Sequence, residues 1–173
     1  ARVYDVRSGE LITTASVEAR PDSTLPLAFA SLAGQILDLA GAPRTAVHAF
    51  EPPTRSVEAY RAYVEGIAAR SRWDLEVATR AFEAAIRADS GFALAYYELS
   101  QVVLPTEFLS DSRRFVGLAD TAFALAANRP PREQLMLEAY HAWVHADFPR
   151  ARTLYERVLA MDSTLADAWS GLG

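Results

Sequence analysis

The sequence lacks lysine and cysteine altogether, and each absence excludes a class of site. All 17 cationic side chains among the 173 residues are arginines. Without cysteine there is no disulfide framework and no thiolate metal site, although this leaves the cellular compartment open. The net charge is -5, and no basic tract is present. Because binding to a nucleic-acid backbone needs clustered cations, we expect no nucleic-acid partner.

Long apolar runs and catalytic motifs are absent as well. The sequence has no stretch of about 18 apolar residues, so we expect no segment to insert into a bilayer. It has no nucleophile elbow, no phosphate-binding loop and no glycine-rich dinucleotide motif. We therefore predict no enzymatic activity and no cofactor. Hydrophobic residues at 51% and charged residues at 23% are typical of a packed domain.

What the sequence does contain is a helical hairpin pattern between Ser56 and Phe92. Apolar residues at spacings of three and four predict two amphipathic helices joined by a tight turn. Gly66 and Ala78 are small at the place where the two backbones would approach each other. Phe82 would fill the wedge beneath them. The pattern thus predicts a closely packed antiparallel helix pair.

The same pattern returns later in the chain. Residues 89–100 and 162–173 align without gaps, with an identical Asp-Ser start, two alanines and a leucine. Residues 134–161 repeat the hairpin itself. There the places of the two small residues and the aromatic residue are taken by Ala139, Ala151 and Tyr155. This self-similarity indicates a helical repeat protein.

The pattern resembles the tetratricopeptide repeat, a helix pair of about 34 residues. The residues that match in the first repeat are Gly66, Ala78, Phe82 and Ala85, and Trp169, Leu172 and Gly173 reproduce the family's W-x-x-L-G opening. The resemblance implies a mainly α fold, with antiparallel helix pairs stacked into an α–α superhelix. The repeats it implies are residues 56–92, 93–130 and 131–164, with an incomplete one at 165–173.

The second repeat departs from the pattern. Ala93–Val103 is predicted as a helix, Leu104-Pro105-Thr106 is expected to break it, and Ser112–Ala127 is the next helix. The connection over residues 104–111 is longer than usual. It is either a place for a specific contact or a tolerated insertion. Pro131 is suited to the first turn of the following helix.

Residues 1–41 do not fit the repeat. Alternating side chains in Arg2–Val6 and Glu10–Ala19 predict a β-hairpin, and Leu25–Ala40 is predicted as an apolar helix. The linker of residues 42–55 contains three prolines, which limit its flexibility.

This order of elements resembles the junction in bacterial multidomain regulators, where a TolB-type amino-terminal α/β domain precedes tetratricopeptide repeats. The resemblance implies that residues 1–41 are the remnant of such a domain. We expect the chain to be a piece of a longer protein, because it begins within a predicted strand and ends one helix into a repeat.

Two histidines suggest a metal site. His141 and His145 lie four residues apart on one predicted helix, with Glu138 three residues before the first. Two imidazoles and a carboxylate at this spacing are a set that binds Zn²⁺. The alternative is that His145 lies near a helix C-terminus, where a cation is favourable, and that His141 packs beside it. Since no HExxH motif is present, we predict no metal site.

The tetratricopeptide resemblance also implies a binding surface, because the first helix of each repeat lines the concave face. The residues it places there are Tyr60, Tyr63, Ile67, Arg70, Leu94, Tyr97, Gln101, Met136, Tyr140 and Trp143. Aromatic residues and arginine supply much of the binding energy at interfaces, and the alternative is that several of these side chains pack between repeats. We predict a non-catalytic scaffold for a protein or peptide. The alternative is a structural or accessory subunit held permanently in a larger complex.

Overall fold

The chain forms two units, residues 1–57 and 58–173. A computed structural model describes residues 2–4, 11–14, 53–108 and 111–173. In the first unit, strand β1 (Arg2–Tyr4) pairs antiparallel with strand β2 (Leu11–Thr14), with Val3 opposite Thr13. The predicted turn between the strands, the predicted helix over residues 25–40 and most of the linker lie outside the described residues.

The described residues from 57 onward are mainly helical, which confirms the mainly α part of the predicted fold class. The α-helices described in this part of the chain are α1 (Val57–Ser71), α2 (Leu75–Ala88), α3 (Ala93–Glu107), α4 (Arg113–Ala124), α5 (Pro131–Val144), α6 (Phe148–Met161) and α7 (Ala166–Leu172). A short 3-10 turn, Leu125–Asn128, follows α4 directly. Among the described residues, no helix is both long and apolar enough to cross a bilayer.

Helices α1 and α2 form an antiparallel hairpin because small residues lie where the backbones meet. Ala69 packs with Ala78 near the turn, and both are fully buried. Further from the turn, an ideal Cβ on Gly66 would lie only 2.5 Å from the ring of Phe82. The equivalent residues Ala139 and Ala151 are 0% and 2% exposed. The prediction that these small residues pack between helices is confirmed.

The turn that joins α1 to α2 is a Schellman motif. The N–H of Trp73 donates to the carbonyl of Arg70 at 2.9 Å, and the N–H of Asp74 donates to the carbonyl of Ala69 at 3.0 Å. Trp73 therefore adopts a left-handed φ of 61°. The Asp74 carboxylate then caps α2 by accepting from the N–H of Val77 at 3.2 Å.

The turn between α5 and α6 is built in the same way. Ala146 has a φ of 59°, and the N–H of Asp147 donates to the carbonyl of Ala142 at 2.9 Å. The Asp147 carboxylate accepts from the N–H of Arg150 at 3.3 Å. The two hairpins thus share both their helix contacts and their turn.

The second helix pair differs from the prediction at Pro105. Helix α3 does not break at Leu104-Pro105-Thr106 but continues to Glu107, with Pro105 inside it. Proline removes the bond that its own N–H would donate, and its ring crowds the carbonyl four residues earlier. The helix nevertheless continues, since the N–H of Phe108 reaches the carbonyl of Leu104 at 2.9 Å. The first half of the connection predicted over residues 104–111 is therefore the last helical turn of α3.

Arg114, at the start of α4, holds this last turn of α3 in place. Its guanidinium donates to Glu107 at 2.7 Å and to Glu83 of α2 at 2.8 Å. One planar side chain therefore joins the end of α3 to the preceding hairpin.

In the second repeat, the position that carries a small residue where two helices meet is occupied by Ser100, which is fully buried. Its hydroxyl donates to the carbonyl of Phe115 in α4 at 2.7 Å and shares a hydrogen bond of 2.9 Å with the Tyr140 hydroxyl of α5. Buried hydroxyl groups are tolerated when they are hydrogen-bonded. Ser100 therefore links the second helix pair to the third.

Candidate functional site

A cavity of about 230 Å³ lies among α3, α5, α6 and α7. Its lining side chains come mostly from the first helices of successive repeats, which is the face that the tetratricopeptide resemblance implies. The residues that line it are Tyr97, Gln101, Leu104, Tyr140, Trp143, Tyr155, Asp167, Ser170 and Gly171.

The aromatic side chains of the cavity wall contact one another. The ring of Tyr140 meets Tyr97 edge to face at a centroid distance of 5.1 Å and lies nearly parallel to Trp143 at 6.2 Å. Burial raises the pKa of Tyr140 to about 12, although the hydrogen bond with Ser100 opposes this. Burial also raises the pKa of Tyr97. Both phenols are therefore neutral near pH 7.

The polar part of the cavity is Gln101, Asp167 and Ser170. The Nε2 atom of Gln101 is buried, and no hydrogen-bond acceptor for it lies among the described residues. A buried amide donor without an acceptor costs roughly 1–3 kcal/mol. A ligand carbonyl that reached this atom would recover that cost.

An ion-pair network lies beside the cavity. Arg70 of α1 places Nη1 3.0 Å from Oε2 of Glu98 in α3 and Nη2 3.7 Å from Oδ2 of Asp167 in α7. Glu98 is only 5% exposed. Its burial raises the pKa of the carboxyl to about 7, while the Arg70 guanidinium opposes the rise. The network joins three helices and leaves the neighbourhood of the cavity close to neutral or slightly acidic.

The structure brings four of the ten predicted groove residues to the cavity, namely Tyr97, Gln101, Tyr140 and Trp143. Ile67, Leu94 and Met136 pack against the core clusters instead. Tyr63 does the same, with ring centroids 5.8 Å from Phe82 and 4.9 Å from Phe92. Arg70 belongs to the ion-pair network, and Tyr60 is half-buried. The role of all ten residues in binding stays a prediction.

Sequence reasoning missed the remaining lining residues, although a signal existed for three of them. Leu104 occupies the same repeat place as Arg70 and Trp143. Asp167 occupies the same place as Tyr60 and Leu94. Ser170 occupies the same place as Tyr63, Tyr97 and Met136. Extending the repeat alignment to every helix would have included all three.

The predicted metal-binding set is rearranged. Glu138 does not join the histidines but pairs with Arg150 of α6 at 2.7 Å. His141 and His145 face a different carboxylate, Asp120 of α4, at 3.1 and 2.7 Å. Asp120 is thus the third residue of this cluster, and none of its three residues lines the cavity.

Comparison with known proteins gives only distant likenesses. No family profile matches the chain, and no curated protein matches it by sequence. Among solved structures, the first tetratricopeptide domain of Spaghetti (RPAP3) bound to the HSP90 peptide SRMEEVD is 16% identical at a TM-score of 0.47, covering 66% of this chain and 87% of that one. The tetratricopeptide domain of Arabidopsis OM64 is 11% identical at a TM-score of 0.47, covering 66% of this chain and 90% of that one.

Proposed function

We propose that this chain is a non-catalytic scaffold of the tetratricopeptide type, which holds a segment of a partner protein in the cavity among α3, α5, α6 and α7. The observation that supports the proposal is the cavity's lining, where four aromatic side chains accompany Gln101, whose Nε2 atom has no acceptor among the described residues. Aromatic walls with few polar groups are typical of binding pockets. The amide would orient a peptide backbone, and the rings would hold one side chain.

The side chain that fits best is a basic one. Asp167 offers a partly exposed carboxylate to the cavity, and the faces of Tyr140 and Trp143 attract a cation electrostatically. Glu98 and Arg70 lie behind this site and largely neutralise each other. We therefore propose an arginine or lysine of the partner as the anchor.

Selection of random displayed peptides on the intact chain tests this proposal. Selected peptides should share a basic residue at one position, and its replacement by alanine should weaken binding by about tenfold, which is roughly 1.4 kcal/mol. Isothermal titration calorimetry measures both affinities.

The variant Ser170→Trp tests whether the cavity is the binding site. Ser170 is exposed and lines the cavity, so a large side chain there would fill it without disturbing the core. Affinity for the selected peptides should fall by at least about tenfold. The matched control is Trp73→Ala, which removes a 73% exposed aromatic outside the cavity. Equal affinities for wild type and Ser170→Trp, or no selected peptide, would refute the proposal.

The wider context is also a proposal. The resemblance of residues 1–41 to the end of a TolB-type domain supports a scaffold within a larger bacterial regulatory protein. The alternative is an accessory subunit held permanently in a larger assembly. Size-exclusion chromatography of the chain expressed alone separates the two, because a permanent subunit without its partners should aggregate or fold poorly.

A further inference from the structure

Three side chains from two helices converge at the C-terminal end of α5. His141 and His145 are four residues apart and therefore share one face of that helix. The Nε2 atoms of His141 and His145 lie 3.1 and 2.7 Å from the same Oδ1 atom of Asp120 in α4. One ligand atom from each of the three residues lies within 4.8 Å of the other two.

We propose that Asp120, His141 and His145 form a binding site for a divalent transition metal ion, with Zn²⁺ as the expected occupant. Zn²⁺ binds imidazole nitrogen and carboxylate oxygen at about 2.0–2.2 Å. At tetrahedral angles, bonds of this length separate two ligand atoms by roughly 3.3 Å. The separations of 2.7 and 3.1 Å are slightly shorter than this, so a small opening of the cluster admits the ion.

The cluster is already oriented for an ion and open to one. The ring of Phe123 stacks on His141 at a centroid distance of 4.5 Å and an interplanar angle of 27°, which restrains the imidazole. The side chains of Asp120 and His145 are 47% and 44% exposed. Glu138 is engaged with Arg150, and among the described residues Asp120 makes no ion pair with an arginine.

A metal bound here would cross-link two neighbouring repeats. Asp120 belongs to the second helix pair and the histidines to the third, so the ion would add a link between two helix pairs that the Ser100–Tyr140 hydrogen bond already joins. Three protein ligands leave the fourth tetrahedral position to water. The donor set also suits Ni²⁺ and Cu²⁺, which such sites bind in the Irving–Williams order.

Titration of the metal-free chain with zinc chloride tests the site, using protein purified without a histidine tag. Calorimetry should give one ion per chain. His141→Ala, His145→Ala and Asp120→Asn should each weaken Zn²⁺ binding by at least about tenfold, because even outer-shell partners of a metal site contribute that much. Asp120→Asn keeps the size and hydrogen-bonding capacity of the side chain, so it tests the ligand without removing its packing.

The matched control is His48→Ala, which removes the remaining histidine of the chain and should leave the affinity unchanged. Zn²⁺ should also raise the melting temperature of the wild type but not that of His145→Ala. Absence of binding to the wild type would overturn the proposal. Binding that persists unchanged in all three ligand variants, or that disappears in His48→Ala, would overturn it equally.

Discussion

The guanidinium of Arg70 lies 3.0 Å from the carboxylate of Glu98, which is buried between helices. Removing one partner of a buried ion pair typically costs about 3–5 kcal/mol, because the other charge is left unpaired. We expect Arg70→Met to lower the free energy of unfolding by about 3 kcal/mol at pH 8. The loss should be smaller at pH 5, where Glu98 takes up a proton. Urea denaturation at the two pH values measures both.

The control for this substitution is Arg80→Met. Arg80 pairs with Glu76 on the surface of α2, where the two side chains are 62% and 82% exposed. Exposed pairs contribute at most about 1 kcal/mol. Equal losses in the two variants would show that the burial of Glu98 does not matter.

Glu98 should also make stability depend on pH. Burial raises the pKa of its carboxyl in the folded chain from 4.5 to about 7. Between these values the folded chain holds a proton that the unfolded chain has released. The resulting stabilisation is fully present below pH 4.5 and is lost as the pH rises through about 7. Each pKa unit corresponds to about 1.4 kcal/mol, so the total is roughly 3 kcal/mol.

Glu98→Gln isolates this contribution. Burial and the neighbouring His145 lower the pKa of His141. This residue therefore makes the free energy of unfolding rise with pH, which is opposite to the effect of Glu98. His141 is present in both proteins, so its effect cancels in the difference between them. Urea midpoints from pH 4.5 to 8 should fall less steeply in Glu98→Gln than in the wild type. Parallel curves would contradict the prediction.

Two glycine substitutions should have opposite effects. A methyl group on Gly66 would clash with the fully buried ring of Phe82, so Gly66→Ala should destabilise the chain by about 1–3 kcal/mol. A methyl group on Gly117, inside α4, would meet nothing within 4 Å. Gly117→Ala should therefore stabilise by about 0.5–1 kcal/mol. Thermal denaturation of both variants gives the sign, and a neutral Gly66→Ala would count against close packing of α1 on α2.

The left-handed turn residue Ala146 is a site for stabilisation. A left-handed φ costs a non-glycine residue roughly 1–2 kcal/mol, whereas glycine loses about 0.5–1 kcal/mol through its flexible unfolded state. Ala146→Gly should therefore stabilise by about 0.5–1 kcal/mol. Ala160→Gly, at an exposed position of α6, should instead destabilise by up to about 1 kcal/mol. Denaturant midpoints decide the sign of each change.

The helices and their close contacts could be predicted because they depend on local pattern. The spacing of apolar residues fixes where a helix lies, and small residues such as Gly66 and Ala139 mark where two helices meet. Pro131 begins α5 as expected. The continuation of α3 through Pro105 could not be predicted, since its last turn is held by Arg114 of α4, which joins Glu107 of α3 to Glu83 of α2.

The site was harder to predict, because it depends on which helices come together. Periodicity places His141 and His145 on one face of α5, but it does not identify the carboxylate that a neighbouring helix supplies. Glu138 was the nearest candidate in sequence, but it forms an ion pair with Arg150 of the packed helix α6 instead. Tyr155 reaches the cavity from the second helix of its repeat, whereas the repeat pattern points only to first helices.

The contact between Arg70 and Asp167 joins α1 to α7, which belong to helix pairs that are not neighbours along the chain. In most solenoids each unit touches only its immediate neighbours. Here a direct contact couples two helices that are distant in sequence, so a change in α7 should also be felt at α1.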